Sequence, residues 1–251
     1  MKINRLLLVA SSLFLLASCG GHGSDITQEQ ANVKIDEAKK KVSDPNYEFP
    51  KAFNFTVDTT TRGNGEEVKT TTKASVDIDK EQLYIKNIVK NETSEYWVYK
   101  DGDAYYSALY TAKSKNKNPI LPAAVKTTIW ATFTSSKSSM SEIYTYMAEA
   151  INTSVKYGSS VSLPEGSAVK KNELKLQSKG EGHLYVKLDA AAEIKYEEGA
   201  DTQNVVYELE FENYLPVMES VNMTTTGTNP YELIVKASFD WSKAAYPGNP
   251  A

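Results

Sequence analysis

Apolar and polar residues alternate along most of this chain. From Phe53 the period is two: Phe53, Phe55 and Val57 point one way, and Arg62-Gly63-Asn64-Gly65 marks a turn. Val68, Thr70, Thr72, Ala74, Val76 and Ile78 then alternate with Lys69, Thr71, Lys73, Ser75, Asp77 and Asp79. That is the pattern of a long strand with one buried and one wet face. Leu83 to Val89 continues it, and Asp101-Gly102-Asp103 joins two further strands as a hairpin. The last third is β again. Leu184, Val186, Leu188, Ala190, Ala192, Ile194 and Tyr196 share one face, as do Val205, Tyr207, Leu209 and Phe211. Pro216 opens a strand carrying Val217, Val221 and Met223, and a final strand runs from Tyr231 to Trp241.

Two stretches follow the helical period instead. Thr27-Gln28-Glu29-Gln30 reads as a capping box. Ala31, Ile35, Ala38 and Val42 form a narrow apolar stripe behind it, and Asp44-Pro45 ends the helix. This helix either packs across the sheet or stands as an exposed spacer. Met140, Ile143, Tyr144, Met147, Ala148, Ile151 and Val155 predict a second helix over 140–156, stopped by Gly158. Between the β-rich parts, 113–122 is polar and ends in Pro119 and Pro122, so it interrupts the meander. Residues 123–139, with Ile129, Trp130 and Phe133, fit a helix or a short strand. The expected fold is mainly β (α+β): a curved antiparallel sheet or incomplete β-barrel of about ten strands, with an N-terminal and a central helix packed on it. One domain is expected over 26–242, and the tail over 243–251, with two prolines, is expected to fray.

The first residues follow neither period. Lys2 and Arg5 precede an apolar run from Leu6 to Leu16, and Leu16-Ala17-Ser18-Cys19 ends it with small residues and the single cysteine of the chain. This is the order of a secretory signal peptide over 1–18, too short to remain as a membrane span. The residues before Cys19 resemble the lipobox of bacterial lipoproteins. The resemblance implies diacylglyceryl transfer to the Cys19 thiol, cleavage before it, and attachment to the cell membrane or outer membrane on the extracytoplasmic face. Residues 19–25, with Gly20, Gly21 and Gly23, read as a flexible tether.

Charge and chemistry narrow the classes further. The formal net charge is −4, and Arg62 is the one arginine outside the signal segment, so no electrostatic footprint for nucleic acid is present. No H-E-x-x-H, P-loop, G-x-S-x-G or EF-hand pattern occurs, and no cofactor motif is seen. The chain has two histidines. His22 falls in the tether without a second ligand in sequence, and His183 reads as an ordinary strand residue. Glu208, Glu210 and Glu212 share one strand face, which is expected to be solvated. The expectation is therefore a protein without enzymatic activity, without a metal and without a cofactor.

The layout of the whole resembles the LolA-like and LppX-like lipoproteins. The carrying features are the lipobox at Cys19 and two strand phrases, Tyr96-Trp97-Val98-Tyr99-Lys100-Asp101-Gly102-Asp103-Ala104-Tyr105-Tyr106 and Tyr214-Leu215-Pro216-Val217. The likeness covers about residues 26–242. It implies a strongly curved, incompletely closed barrel, covered by helices, that encloses an apolar cavity. A carrier of the LolA type is soluble, so a lipidated Cys19 favours the anchored relatives. Three readings follow. The first is a membrane-anchored module holding a lipid or other apolar ligand, with Met140, Tyr144, Met147 and Ile151 lining the cavity. The second is a structural or adhesion lipoprotein with a filled core, whose aromatic strands meet a partner. The third, ranked last, is a secreted hydrolase with an unrecognised site.

Overall fold

A computed structural model describes residues 21–159, 163–197, 199–227 and 230–250. Twelve antiparallel strands form one curved, non-closed sheet, and two helices pack on one of its faces. The first half of the sheet is a meander: β2 (Ala52–Gly63), β3 (Glu66–Asp77), β4 (Gln82–Val89), β5 (Glu92–Asp101), β6 (Ala104–Thr111) and β7 (Lys115–Ile120). The second half is another: β8 (Ala168–Ser178), β9 (Leu184–Tyr196), β10 (Gly199–Glu212), β11 (Leu215–Thr226) and β12 (Tyr231–Asp240). The final strand β12 pairs with β2 from Tyr231↔Gly63 to Asp240↔Asn54, and this joins the halves. A two-residue strand β1 (Ser24–Asp25) lies against β8 at one edge, and β7 forms the other edge.

Local chemistry places the turns and registers. Asn64 and Gly65 both take positive φ (52° and 79°), the geometry that two-residue hairpins require, and Lys90 and Asn91 do the same (47° and 69°). In β9 the alternation resolves as expected over most of its length: Leu184, Val186, Leu188, Ala190, Ala192 and Ile194 are all buried, whereas Tyr196 at the end of the strand, expected on the same face, is exposed. Helix α1 (Gln28–Ser43) opens on the expected capping box, with Gln30 N–H donating to Thr27 Oγ1 (3.2 Å) and Thr27 N–H to Gln30 Oε1 (2.9 Å). Its four stripe residues, Ala31, Ile35, Ala38 and Val42, are buried in the core, so α1 is a packing helix and not a spacer.

Three elements differ from expectation. Helix α2 runs from Pro122 to Ser159, 38 residues and about 57 Å, and not only over 140–156. Pro122 suits a first helical position. The serines and threonines of 123–139 hide the periodicity, and Thr127 and Thr128 bond back to the carbonyls of Ala123 and Ala124 (both 2.9 Å). Strand β7 was obscured by its lysines, asparagines and Pro119, which are the residues that suit an exposed edge strand. With β1 it brings the count to twelve. The tail is docked rather than frayed: Asn54 Nδ2 donates to Lys243 O (2.8 Å), Ala245 N–H to Asn54 Oδ1 (2.6 Å), and Tyr246 packs on the cluster of Trp97, Tyr99 and Ala108.

The two faces of the sheet differ. The inner face carries the main core, with the described parts of α2 lying against β8, β9 and β11, and α1 against α2 and β9. The outer face carries a smaller aromatic cluster on β4–β6, in which Trp97 meets Tyr84 (5.2 Å between centroids) and Tyr110 (5.1 Å). Much of the tyrosine density is therefore cross-strand packing. Among the described residues no helix is long and apolar enough to cross a membrane.

Candidate functional site

The inner face is built in cross-strand rows, and one row sets the pattern. Phe239 opposes Phe55, which opposes Ala74, then Ile85, Tyr96 and Leu109, so six strands from β12 to β6 share one apolar line. Phe239 and Ala74 are buried, Phe55, Ile85 and Tyr96 are half-buried, and Leu109 at the far end is 43% exposed. The line thus leaves the core and emerges toward the β7 edge. The neighbouring row runs Leu176, Val186, Leu209, Glu219, Ala237, Val57, Thr72 and Asn87. It begins apolar under the helices and ends polar, where Thr72 Oγ1 donates to Asn87 Oδ1 (2.9 Å).

Glu219 sits in the middle of that row. Leu209 and Ala237 oppose it on either side, and Val221 follows it on the same face. It is 8% exposed. Burial pushes its pKa up to about 7, and no charge or hydrogen bond from the described residues offsets that burial.

A second cluster lies on the outer face of β9 and β10, at the N-terminal end of the folded chain. Glu210 Oε1 accepts hydrogen bonds from His183 Nε2 (2.9 Å) and His22 Nδ1 (3.2 Å). The His22 ring stacks on Tyr185 with centroids 3.7 Å apart. Both histidines of the chain therefore converge on one buried carboxylate. Burial alone would raise the Glu210 pKa; the hydrogen bonds from His183 and His22, with Lys179 nearby, outweigh it and hold the carboxyl below its usual range. His183, Glu210 and Glu212 bring their ligand-type atoms within 4.8 Å of one another, close enough for one metal ion. The hydrogen bonding works against one. Lys179 N–H donates to His183 Nδ1 (3.2 Å), which assigns the ring proton to Nε2 and turns that atom toward Glu210 as a donor. The Lys179 ammonium also lies 2.8 Å from Glu212 and 3.6 Å from Glu210. The chain neutralises this carboxylate with its own groups.

The residues singled out in the sequence fall as follows. Cys19 and the segment 1–18 lie outside the described residues. Met140 is on α2, with its side chain outside them too. Tyr144, Met147 and Ile151 are 0%, 0% and 1% exposed and belong to the main core. The Tyr144 ring meets Phe211 edge-on (5.8 Å, 82°), and its hydroxyl donates to the Tyr214 carbonyl. A side chain bordering a void wide enough for a ligand keeps surface toward it; these three keep almost none, so this turn of α2 seals the core. Glu210 is buried, against the solvated face expected for it, and His22 is pinned by stacking rather than free in a tether. The tether expected over 19–25 is correspondingly short, since β1 pairs with β8 from Ser24.

Comparison with known proteins adds little. No family model matches the chain, and no curated relative does. A solved structure of a DUF1329 family protein from Desulfovibrio piger is similar at 7% identity and a TM-score of 0.22, over 88% of this chain and 94% of that one. That likeness carries no argument. The site stands on its own geometry. Glu219 and the Glu210 cluster escaped sequence reasoning for different reasons. Glu219 looks like one polar residue among many in a strand, and His22 is 188 residues from its partner Glu210. One signal was present: Glu219 falls on the same side as Val221 and Met223, where alternation calls for an apolar residue.

Proposed function

We propose that this chain is an extracytoplasmic lipoprotein, anchored through a diacylglyceryl group on Cys19, that holds an apolar ligand against the inner face of its open sheet. The observation that carries the ligand reading is the row from Phe239 to Leu109. Along that row exposure rises from buried Phe239 and Ala74 through half-buried Phe55, Ile85 and Tyr96 to Leu109, so contiguous apolar side chains keep surface beside the core that a ligand could cover. The described parts of the helices lie chiefly against β8 and β9 and only lightly against β11, so the ligand would extend from there across the β2–β6 half, along Phe55, Ile85, Tyr96 and Leu109. Clefts between a sheet and its covering helices are usual ligand locations. Tyr144, Met147 and Ile151 belong to the sealed core and would not border this ligand; the strands would provide the contact surface.

The anchor reading is supported by the order of residues 1–19 and by the geometry after it. His22 is held on the outer face, three residues beyond Cys19, so a lipid on that cysteine would be tied to the folded domain by a chain reach of only about 10 Å. The domain would ride close to the bilayer. Cys19→Ser protein, released from membranes, is suited to the ligand test. The neutral fluorophore N-phenyl-1-naphthylamine is expected to brighten on binding it, and Ile85→Lys, which puts a charge into the middle of the row, is expected to weaken that binding tenfold or more. No binding by the parent protein would sink the ligand reading in favour of a filled surface or adhesion module.

A further inference from the structure

We propose that Glu219 is the polar anchor of the inner-face ligand, and that this ligand is a single-chain amphiphile with an ammonium head group. The inference rests on the apolar-ligand reading above and specifies the chemistry of that same site.

Buried carboxylates in this protein are otherwise provided for. Asp77 receives the Lys80 ammonium (2.6 Å) and the Lys80 N–H (3.0 Å), Glu210 receives both histidines, and Asp201 is engaged as well. Glu219 has no hydrogen bond and no ion pair among the described residues, although more than nine-tenths of it is buried. Its strand neighbours, Leu209 and Ala237, are fully buried and apolar, and Val221 beside them is buried too. A carboxyl in such surroundings is largely stripped of water and receives no donor from the described residues, so its ionised form is disfavoured there. Groups that oppose folding and persist are characteristic of binding sites.

Position fixes what would satisfy it. Glu219 occupies the inner-face row next to the one that runs Phe239, Phe55, Ala74, Ile85, Tyr96 and Leu109, since Ala237 and Phe239 are two residues apart on β12. A head group at Glu219 therefore lets a hydrocarbon tail follow that apolar line toward the β7 edge. The head group must donate hydrogen bonds and neutralise a carboxylate at close range. An ammonium does both, through charge-assisted bonds that gain strength away from water. A hydroxyl offers one neutral bond. A carboxylate head group would set two like charges together and be rejected.

The test uses the full mature chain with Cys19→Ser and measures displacement of bound N-phenyl-1-naphthylamine by dodecylamine, dodecanol and dodecanoate, three probes with one tail and different heads. Dodecylamine is expected to displace the fluorophore at a concentration tenfold or more below that of dodecanol, with dodecanoate weakest. In Glu219→Gln that preference for the amine is expected to vanish while dodecanol binding stays within about threefold. A thermal melt of the variant confirms its folding, which removal of a buried ionisable group favours. Equal displacement by all three probes, or an amine preference that survives Glu219→Gln, would overturn this inference and leave the apolar site standing. If the fluorophore binds nowhere, the site itself falls and Glu219 with it.

Discussion

Glu219 ties pH to stability with a sign opposite to that of a salt-bridged carboxylate. Its pKa is raised to about 7 in the folded protein, against an ordinary carboxyl value when unfolded. Below pH 4 both states hold the proton and the residue is neutral in its effect. As pH rises toward 7 the unfolded chain releases the proton first, so stability falls, and the loss is complete above the folded value. The span corresponds to about 3 kcal/mol. Wild-type protein is therefore expected to lose stability between pH 5 and 8 in urea titrations, and Glu219→Gln is expected to flatten most of that slope. An equal slope in both proteins would mean that Glu219 is solvated or paired. Glu210 is the contrasting residue: also buried, it is held low by His183 and His22, so ionisation there accompanies folding instead of opposing it. The sequence shows Glu219 on the apolar side of its strand and Glu210 on the polar side, but not what surrounds either carboxyl. What separates them is the set of donors that folding brings from elsewhere in the chain, and sequence spacing carries no record of that.

Strands were readable because a two-sided sheet forces period two on its sequence; β9 keeps that alternation in burial over most of its length, whereas the ends of β3 (74–77) and β12 (237–239) are buried on both faces. Failure came where another constraint outranked burial. Strand β7 lies at an edge and is written in lysine, asparagine and proline, so it carries no apolar face to detect. The first part of α2 is written in serine and threonine, whose side chains bond back to its own carbonyls. Alternation also overstates the wetness of the outer face. Tyr185 was expected outward, and it is outward, yet it is buried under His22 and donates to Glu208 (3.2 Å). Val186→Asp tests the register of β9: Val186 is fully buried, and an unpaired charge there is expected to cost about 3–5 kcal/mol and abolish cooperative unfolding. Lys187→Asp on the opposite face should cost far less, about 1 kcal/mol through loss of its pair with Glu208. Circular dichroism melts of the two variants decide it, and similar losses would mean that β9 is out of register.

For the whole molecule, the sequence read correctly as a curved, mainly β sheet with helices on it, because class and order of elements follow from period and turn residues alone. Which strands join the two halves of the sheet did not follow. Pairing of β12 with β2 depends on two strands near opposite ends of the domain, and no local pattern announces it. The proposed membrane attachment is the other whole-molecule property, and it would belong to residues before the described domain. Fractionation of cells carrying Cys19→Ser is expected to move the protein from the membrane to the soluble fraction, and retention in the membrane would point to a second anchor. The β12–β2 seam has a kinetic consequence as well. Each half is a run of hairpins between sequence neighbours, so both can form early and separately, whereas the seam must bring Tyr231 to Gly63 across the entire intervening chain. Closing so large a loop defers its entropic cost to the end of folding and makes for slow, topology-limited refolding. Until the last strand arrives, β2 and β11 each present a bare edge, and a chain shortened before Tyr231 would keep both bare for its lifetime, open to pairing with the same edges on other copies.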